Sequence, residues 1–93
     1  MLEMKLIMRG QTQTSLFQDS LCGFIYSLEP EIIGQLTIKA TGEVELIVQG
    51  HIEQLKDINR LLEKGELSKF IRKIDKEVGE VTSTFQGFCI KES

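Results

Sequence analysis

At the start of the chain every second residue is apolar, and farther along the apolar residues recur at helical spacing. From Leu2 to Met8 the apolar positions repeat every second residue, a pattern typical of a strand with one fully apolar face. A stripe at spacings of three and four follows, and it predicts a first helix that Pro30 ends. Gly23 lies inside this helix, where glycine costs about 1 kcal/mol relative to alanine, so we expect it to allow close packing against a sheet. The stripe consists of Phe17, Leu21, Phe24, Ile25 and Leu28.

Two further strands and a second helix follow. Alternation from Ile33 to Ala40 and over Val44–Val48 predicts two strands, and Thr41-Gly42 between them supplies a tight turn, so this segment is a hairpin. Helical spacing then returns, and Gly65 stands at the position where glycine commonly follows a helix. The apolar stripe of this second helix is Ile52, Leu55, Ile58, Leu61 and Leu62.

Two less regular apolar stretches complete the chain. Phe70–Ile74 and Thr82–Ile90 are predicted as strands, although Gly79 and Gly87 make them less regular. The predicted order is β-α-β-β-α-β with one additional strand at the end. The economical fold for this order is the α+β split β-α-β unit, with an antiparallel sheet and two helices on one face. No repeat or linker interrupts it, so residues 1–93 are predicted to form one domain.

Composition narrows the classes of function. The chain has 93 residues, of which 41% are apolar, and this allows one modest core. Its 11 Lys and Arg stand against 14 Asp and Glu, and a net charge of −3 is the wrong sign for a general nucleic-acid binder. No apolar run approaches the roughly 18 residues that cross a bilayer, so we expect no membrane partner.

Cysteine and histidine are too few for a zinc site. The chain has two cysteines, Cys22 and Cys89, and one histidine, and neither cysteine has a second thiol near it in sequence. One disulfide is compatible with this count. A secreted domain of this size that relied on disulfides would carry more of them, so a reduced, cytoplasmic compartment is favoured. We expect two small, partly buried thiols, no metal and no cofactor.

Four motifs along the chain resemble those of the acylphosphatase family, and they occur in the family's order. The family's hairpin has the pattern Gly-Trp-Val-Arg-Asn, then a turn that ends in glycine, then Val-Glu and a closing glycine. The matching positions here are Gly34, Gly42, Val44, Glu45 and Gly50. In the first loop, the positions shared with the signature Gly-x-Val-Gln-Gly-Val-x-Phe-Arg are Gly10, Gln13 and Phe17. The downstream positions are Gly65, Ile71, Ile74, Phe85, Gly87, Phe88 and Ile90. The resemblance covers nearly the whole chain and implies a ferredoxin-like fold.

The sequence departs from the family at the residues that carry catalysis. Acylphosphatases hydrolyse carboxyl-phosphate anhydrides without metal or cofactor. The resemblance implies that loop N–H groups and an Arg hold the phosphate while an Asn orients the attacking water. Those two positions are Gln18 and Ile38 here, and no shift of register restores either group, because no Arg occurs between Arg9 and Arg60 and the only Asn is Asn59. Thr14 also replaces the inner glycine of the signature, which disfavours a backbone with positive φ.

The first loop remains a candidate anion site even without the Arg. Residues 10–15 contain no large apolar side chain, so this segment is predicted to be a loop outside the core. Its N–H groups precede the first helix, where the helix dipole favours negative charge. The simpler interpretation is a polar loop with Ser15 as the N-cap of that helix. The candidate residues are Gln11, Thr12, Gln13, Thr14, Ser15, Leu16, Phe17 and Gln18.

Other polar residues have structural interpretations beside the functional ones. Lys39, Arg9 or His51 could substitute for the missing Arg, although His51 is better explained as a surface or capping residue at the start of the second helix. A basic cluster could contact an acidic partner, but interspersed carboxylates favour a solvated strand that is protected against edge pairing. The cluster is Lys69, Arg72, Lys73 and Lys76. Met1, Met4 and Met8 are interpreted as strand packing.

Three hypotheses follow from the sequence. The first is a catalytically inactive acylphosphatase-like domain that acts as a binding or scaffolding module for a small anion or a protein. The second is an active acyl-phosphate hydrolase with substituted residues. The third, an RNA-binding module of the same shape, is weaker because the strand Val44–Val48 carries no aromatic residue that could stack on bases. A monomer and a homodimer are both compatible with the sequence.

Overall fold

The alternating and helical patterns form seven elements and a short 3₁₀ helix in the computed structural model, which describes residues 2–12, 14–28, 32–81 and 85–92. In chain order the elements are β1 (Leu2–Gly10), α1 (Ser15–Ser27), β2 (Ile33–Ile38), β3 (Val44–Gly50), α2 (Ile52–Glu63), the 3₁₀ helix (Glu66–Phe70), β4 (Ile71–Glu80) and β5 (Phe88–Glu92). None of the helices in these ranges is long and apolar enough to cross a bilayer. Pro30 and Met1, which entered the sequence argument, lie outside the described residues.

The strands form one sheet in the order β4-β1-β3-β2-β5. β1 lies between β3 and β4 and pairs antiparallel with both, and β2 pairs antiparallel with β3 as the predicted hairpin. This confirms the split β-α-β fold. One detail of the prediction is wrong: β5 pairs parallel with β2, so the sheet is mixed, not wholly antiparallel. Thr41-Gly42 forms the predicted tight turn, and Gly42 has a φ of +94°, which glycine adopts without strain.

One hydrophobic core lies between the sheet and both helices. Alternate residues of β1, β2 and β3 point to the same face, and the stripes of α1 and α2 pack on that face. Ile52, the first residue of the predicted α2 stripe, is the exception, because it is exposed and lies outside the core. Phe70 of the 3₁₀ helix meets Phe17 of α1 edge to face, with 5.8 Å between ring centroids. Burial of each large apolar side chain contributes about 1.5–3 kcal/mol. The fully buried ones are Phe17, Met4, Leu6, Met8, Leu21, Ile25, Ile32, Leu36, Leu46, Leu55, Ile58 and Leu62.

The boundaries of the last two strands differ from the prediction. The fourth strand was expected over Phe70–Ile74 but extends from Ile71 to Glu80, because pairing with β1 continues through Gly79. Phe70 itself ends the 3₁₀ helix. The fifth strand was expected from Thr82 but begins at Phe88, and residues 82–84 lie outside the described part of the chain. The second strand ends at Ile38, two residues before the predicted Ala40.

Two small residues are more exposed than predicted. Gly23 was expected to allow close packing against the sheet, but it is exposed, and a Cβ there would have nothing within 4 Å. It lies on the outer face of α1 with the exposed Tyr26, whereas its neighbours Cys22 and Ile25 are buried. Cys89 was expected to be partly buried and is exposed, because β5 is an edge strand.

Candidate functional site

The candidate loop follows β1 and is held between the 3₁₀ helix and the β2–β3 turn. The N–H of Gln11 donates to the carbonyl oxygen of Phe70 at 2.7 Å. The Thr12 side chain is fully buried, and its hydroxyl donates to the carbonyl oxygen of Gly42 at 3.4 Å. The expectation that no residue of this loop enters the core is therefore wrong for Thr12, whose hydroxyl has a partner inside the protein. Gln13 lies outside the described residues.

Thr14 begins α1 in place of the predicted Ser15. Its backbone is extended, with φ of −73° and ψ of 145°, and its Oγ1 accepts from the N–H of Phe17 at 3.2 Å. The same hydroxyl donates to the carbonyl oxygen of Gln11 at 3.3 Å. Ser15 is the first helical residue instead, because the N-cap must precede the helix with a non-helical backbone. Threonine replaces the family's glycine here at a position with negative φ, so its side chain introduces no backbone strain.

The structure brings Gln18 to the loop. The N–H of Gln18 donates to the carbonyl oxygen of Thr14 at 3.1 Å, which places the residue one turn into α1. Its half-buried side chain turns back, and Nε2 donates to the carbonyl oxygen of Thr12 at 3.5 Å. Position 18 is therefore close enough to the loop for its side chain to contact a ligand bound there.

Ile38 lies at the same end of the sheet. It is the last residue of β2 and pairs with Val44 of β3, which in turn pairs with Met8 of β1. Directly paired residues share a face of the sheet, and Val44 and Met8 point into the core beneath the helices. The Ile38 side chain therefore points toward the helices at the end of the sheet from which the loop and the turn project. It offers hydrocarbon where the resemblance implies a water-orienting amide.

The loop presents backbone donors to solvent. The first N–H groups of a helix lack partners within the helix, and the structure gives those of Ser15 and Leu16 no acceptor among the described residues. The first turn of α1 contains no acidic residue, so nothing there opposes an anion. The arrangement is compatible with the predicted anion loop, which stays a prediction.

The cations that could substitute for the missing Arg are already paired. Arg9 holds Glu43 through Nη2 at 2.6 Å and Nε at 2.7 Å. Lys39 contacts Glu43 at 3.4 Å and Glu45 at 3.2 Å. The hydrogen bond from Arg9 lowers the pKa of the Glu43 carboxyl, and hydrogen bonds to Glu45 and Glu43 raise the pKa of Lys39. An anion would have to compete with two carboxylates for these side chains.

His51, the third substitute, lies at the other end of the sheet. It is the N-cap of α2, which confirms the capping interpretation, and its N–H donates to Gln54 Oε1 at 3.1 Å. It follows Gly50, which pairs with Leu2, whereas the loop follows Gly10 at the far end of β1. Eight residues of strand separate these ends by about 26 Å, so His51 cannot reach a ligand at the loop.

Arg72 is the basic residue that the sequence did not single out for the site. It lines an open cavity of about 600 Å³ beside the loop together with Arg9, Gly10 and Lys39. The structure shows no ion pair to Arg72 within the described part of the chain. The register of β1 with β4, which pairs Gly10 with Ile71, brings it there. Only knowledge of that pairing could have revealed it from the sequence.

The other residues of the basic cluster are dispersed, with Lys69 in the 3₁₀ helix and Lys73 and Lys76 on β4. β4 is an edge strand with mostly exposed side chains, in keeping with the interpretation as a solvated edge. Lys69 lies 5.4 Å from the centre of the Phe70 ring, and Lys76 donates to Asn59 Oδ1 at 3.1 Å. Asn59, the one asparagine of the chain, is thus in α2 and bound to β4, not at the loop.

No group of three or more metal-ligating side chains occurs in the ranges that the structure describes. Both cysteines are free thiols, so the disulfide that the sequence left open does not form in this structure. Burial, with a smaller contribution from Asp19, raises the pKa of the Cys22 thiol and disfavours the reactive thiolate.

Comparison with known proteins supports the fold. Acylphosphatase from Bacillus subtilis superposes with a TM-score of 0.80 and 18% identity, over 97% of this chain and 98% of that one. An acylphosphatase from Coxiella burnetii superposes with a TM-score of 0.75 and 18% identity, over 95% of this chain and 90% of that one. A bacterial light-regulated adenylyl cyclase superposes with a TM-score of 0.74 and 14% identity, over 99% of this chain and 27% of the cyclase. The chain therefore has the acylphosphatase-like form of the ferredoxin-like fold, which proteins of other function share.

The sequence itself matches no protein-family model and no curated protein. At 18% identity the structural likeness establishes the fold and leaves function to the residues of the site.

Proposed function

We propose that this domain keeps the acylphosphatase-like fold as a small binding or scaffolding module and lacks acyl-phosphate hydrolysis. In the family, an acyl phosphate and water give a carboxylate and inorganic phosphate. The observation that carries the proposal is that the residues at both positions matched to the family's catalytic ones lack the groups that this reaction needs. Gln18 reaches the loop without a charge, and Ile38, on the core face at the same end of the sheet, has a side chain of hydrocarbon alone.

The loss of the Arg by itself is expected to raise the activation free energy of hydrolysis substantially. Removal of one preorganised donor to developing charge costs about 2.7–4 kcal/mol, or 10²–10³ in rate. A neutral amide cannot reproduce the paired, charge-assisted hydrogen bonds of a guanidinium with phosphate. The Gln18 amide is also turned toward the Thr12 carbonyl, so binding an anion would require it to give up that contact.

The change at position 38 removes the second catalytic function. Orientation of the attacking water depends on a polar group held at a fixed place, and an isoleucine has none. Neighbouring Lys39 supplies no replacement while it contacts Glu43 and Glu45. Both losses together support a site that retains backbone donors for a ligand but does not activate water.

The alternative is an acyl-phosphate hydrolase with substituted residues. One observation favours it: Arg72 lines the cavity beside Gly10 and has no ion-pair partner among the residues described. If Arg72 held the phosphate, inorganic phosphate would inhibit hydrolysis competitively. Replacement of Arg72 by alanine would then reduce turnover, as would replacement of Gln18.

The two functions separate in one hydrolysis assay. An aryl acyl phosphate is incubated with the native protein and with the double variant Gln18→Arg, Ile38→Asn. A matched control, Ser20→Arg with Thr37→Asn, adds the same side chains at positions that do not face the loop, because Ser20 is exposed on α1 and Thr37 alternates with Ile38 on β2. We expect an inert native protein, an inert control and a gain of about 10²-fold or more in the double variant.

Turnover by the native protein that falls with Arg72→Ala would overturn the proposal and establish the hydrolase. An inert native protein with an inert double variant would leave the loss of hydrolysis standing and show that positions 18 and 38 are not the catalytic ones. Circular dichroism of each variant confirms that the fold persists.

A further inference from the structure

A groove between α2 and the edge strand β4 is separate from the loop and shares no residue with it. Its volume is about 340 Å³, within the range of ligand-binding clefts. Residues along the whole of α2 form one wall, and Lys76 and Val78 of β4 form the other. α2 has 12 residues, so this wall is about 18 Å long.

The floor of the groove is apolar and partly open to solvent. Met4 and Leu55 lie at its base and belong to the core. Ile52 is 45% exposed and Val78 is 49% exposed, which is unusual for large apolar side chains that line one cleft. The sheet ends at β4, so no further strand covers this side of α2.

The rim of the groove is cationic in an acidic protein. Lys56 and Arg60 of α2 and Lys64, its C-cap, follow one another at intervals of four residues, and Lys76 lies across from them. The one carboxylate on the rim, Glu63, is already 3.5 Å from Lys76. The chain as a whole has a net charge of −3, so the groove stands out in sign from the rest of the surface.

Two of these cations have no ion-pair partner among the residues that the structure describes. Lys56 and Lys64 form no ion pair within the described ranges, and Arg60 lies 4.0 Å from Asp57 where both side chains are largely exposed. Like charges four residues apart destabilise a helix. The helix dipole favours Arg60 and Lys64 at the C-terminal end of α2, so the row does not by itself require an external anion. What the row contributes is a rim complementary in charge to an acidic partner.

We propose that this groove binds an acidic amphipathic helix of a partner protein. Apolar side chains of that helix would occupy the floor between Ile52 and Val78, and its carboxylates would pair with Lys56, Arg60 and Lys64. A helix fits because the wall runs the length of α2, whereas an extended segment would pair with the outer edge of β4, which is guarded by alternating charges. The inference rests on the proposed binding role and names its partner.

Peptide selection tests the groove. A displayed library of helical peptides has apolar residues fixed at i, i+3, i+4 and i+7 and all other positions randomised, and it is selected on the native protein. We expect the enriched peptides to carry Asp and Glu beside the apolar stripe. The selected peptide should bind about tenfold or more weakly to the double variant Ile52→Glu with Val78→Glu than to the native protein. The control variant Ile90→Glu places the same charge on the opposite edge strand, β5, and should bind the peptide as the native protein does.

Charge reversal tests the rim. Lys56→Glu with Lys64→Glu should weaken binding about tenfold or more and reduce its dependence on salt, and a peptide with Lys in place of Glu should restore it. Amide chemical shifts of the native protein should change in α2 and β4 on peptide addition, a measurement that does not depend on any variant's fold.

Three results would overturn the proposal: no enrichment on the native protein over the double variant Ile52→Glu with Val78→Glu, enrichment of neutral or basic peptides, or shift changes confined to residues that do not line the groove. A native dimer in sedimentation velocity that Lys56→Glu, Lys64→Glu dissociates would assign the groove to a second copy instead. Acyl-phosphate turnover by the native protein would overturn the proposed function without altering any of these results.

Discussion

The hydroxyl of Thr14 accepts a hydrogen bond from the N–H of Phe17 at 3.2 Å and so begins α1. Phe17 is fully buried and packs edge to face against Phe70. A polar residue of the candidate loop thus orients one of the largest side chains of the core. The loop and the core are connected at this point, and a change in the loop alters stability as well as ligand binding.

Replacement of Thr14 by alanine should destabilise the protein by about 1 kcal/mol, within the 0.5–2 kcal/mol expected for the loss of an N-cap. Ser15→Ala is the matched control, because Ser15 is exposed and its side chain makes no hydrogen bond within the described residues. Urea denaturation measures both free energies of unfolding. An equal loss in the two variants would contradict the assignment of Thr14 as the cap.

Replacement of Gly23 by alanine should stabilise the protein by about 0.5–1 kcal/mol, because alanine favours a helix interior and a Cβ here meets no atom within 4 Å. Gly34→Ala should have the opposite sign. A Cβ at Gly34 would overlap the carbonyl oxygen of Ile47 in the neighbouring strand, so a loss of about 3 kcal/mol is expected. Thermal denaturation measures both, and a loss on Gly23→Ala would indicate an undetected contact of α1.

The ion pairs of Glu43 should make stability depend on pH in the acid range. Hydrogen bonding to Arg9 lowers the pKa of Glu43 from its ordinary value of 4.5, so the folded state favours the carboxylate. This contribution is complete above pH 4.5 and disappears as the pH falls through the lower pKa of the folded state. Glu43→Gln should therefore lower Tm near neutral pH, and its difference from the native protein should shrink toward zero in acid.

Glu77→Gln provides the comparison for Glu43, because the structure shows no ion pair to Glu77 among the described residues. Its Tm should follow that of the native protein across the acid range. A difference for Glu43→Gln that stays constant from neutral pH into acid would contradict the role of the carboxylate.

The two thiols should react at very different rates. Cys89 is exposed, whereas Cys22 is 7% exposed and its burial raises the pKa of the thiol, which lowers the fraction of thiolate. An aromatic disulfide reagent should label one thiol per chain rapidly and the second only after unfolding in urea. Cys89→Ser should remove the rapid phase, and rapid labelling that persists in this variant would show that Cys22 is accessible.

Some features of the candidate site are visible in the sequence, whereas others depend on how the strands pair. The absence of Arg at position 18 and of Asn at position 38 is a property of the sequence, and the assignment of these as the family's catalytic positions stays a prediction from the resemblance. The pairing of Arg9 and Lys39 with Glu43 is not visible in the sequence, because Glu43 approaches Arg9 only through the register of β1 with β3. Arg72 reaches Gly10 for the same reason, across β1 and β4.

The hydrophobic periodicity by itself determined the order of the elements, the two helices and the face that each strand buries, because side-chain spacing follows directly from the geometry of helix and strand. Only the tertiary structure decided the long extent of β4, the parallel pairing of β5 with β2, the burial of Thr12 and the exposure of Gly23. Each of these depends on contacts between residues far apart in the chain. Local patterns specify which side of an element is apolar, whereas its neighbours in space determine where it ends and what covers it.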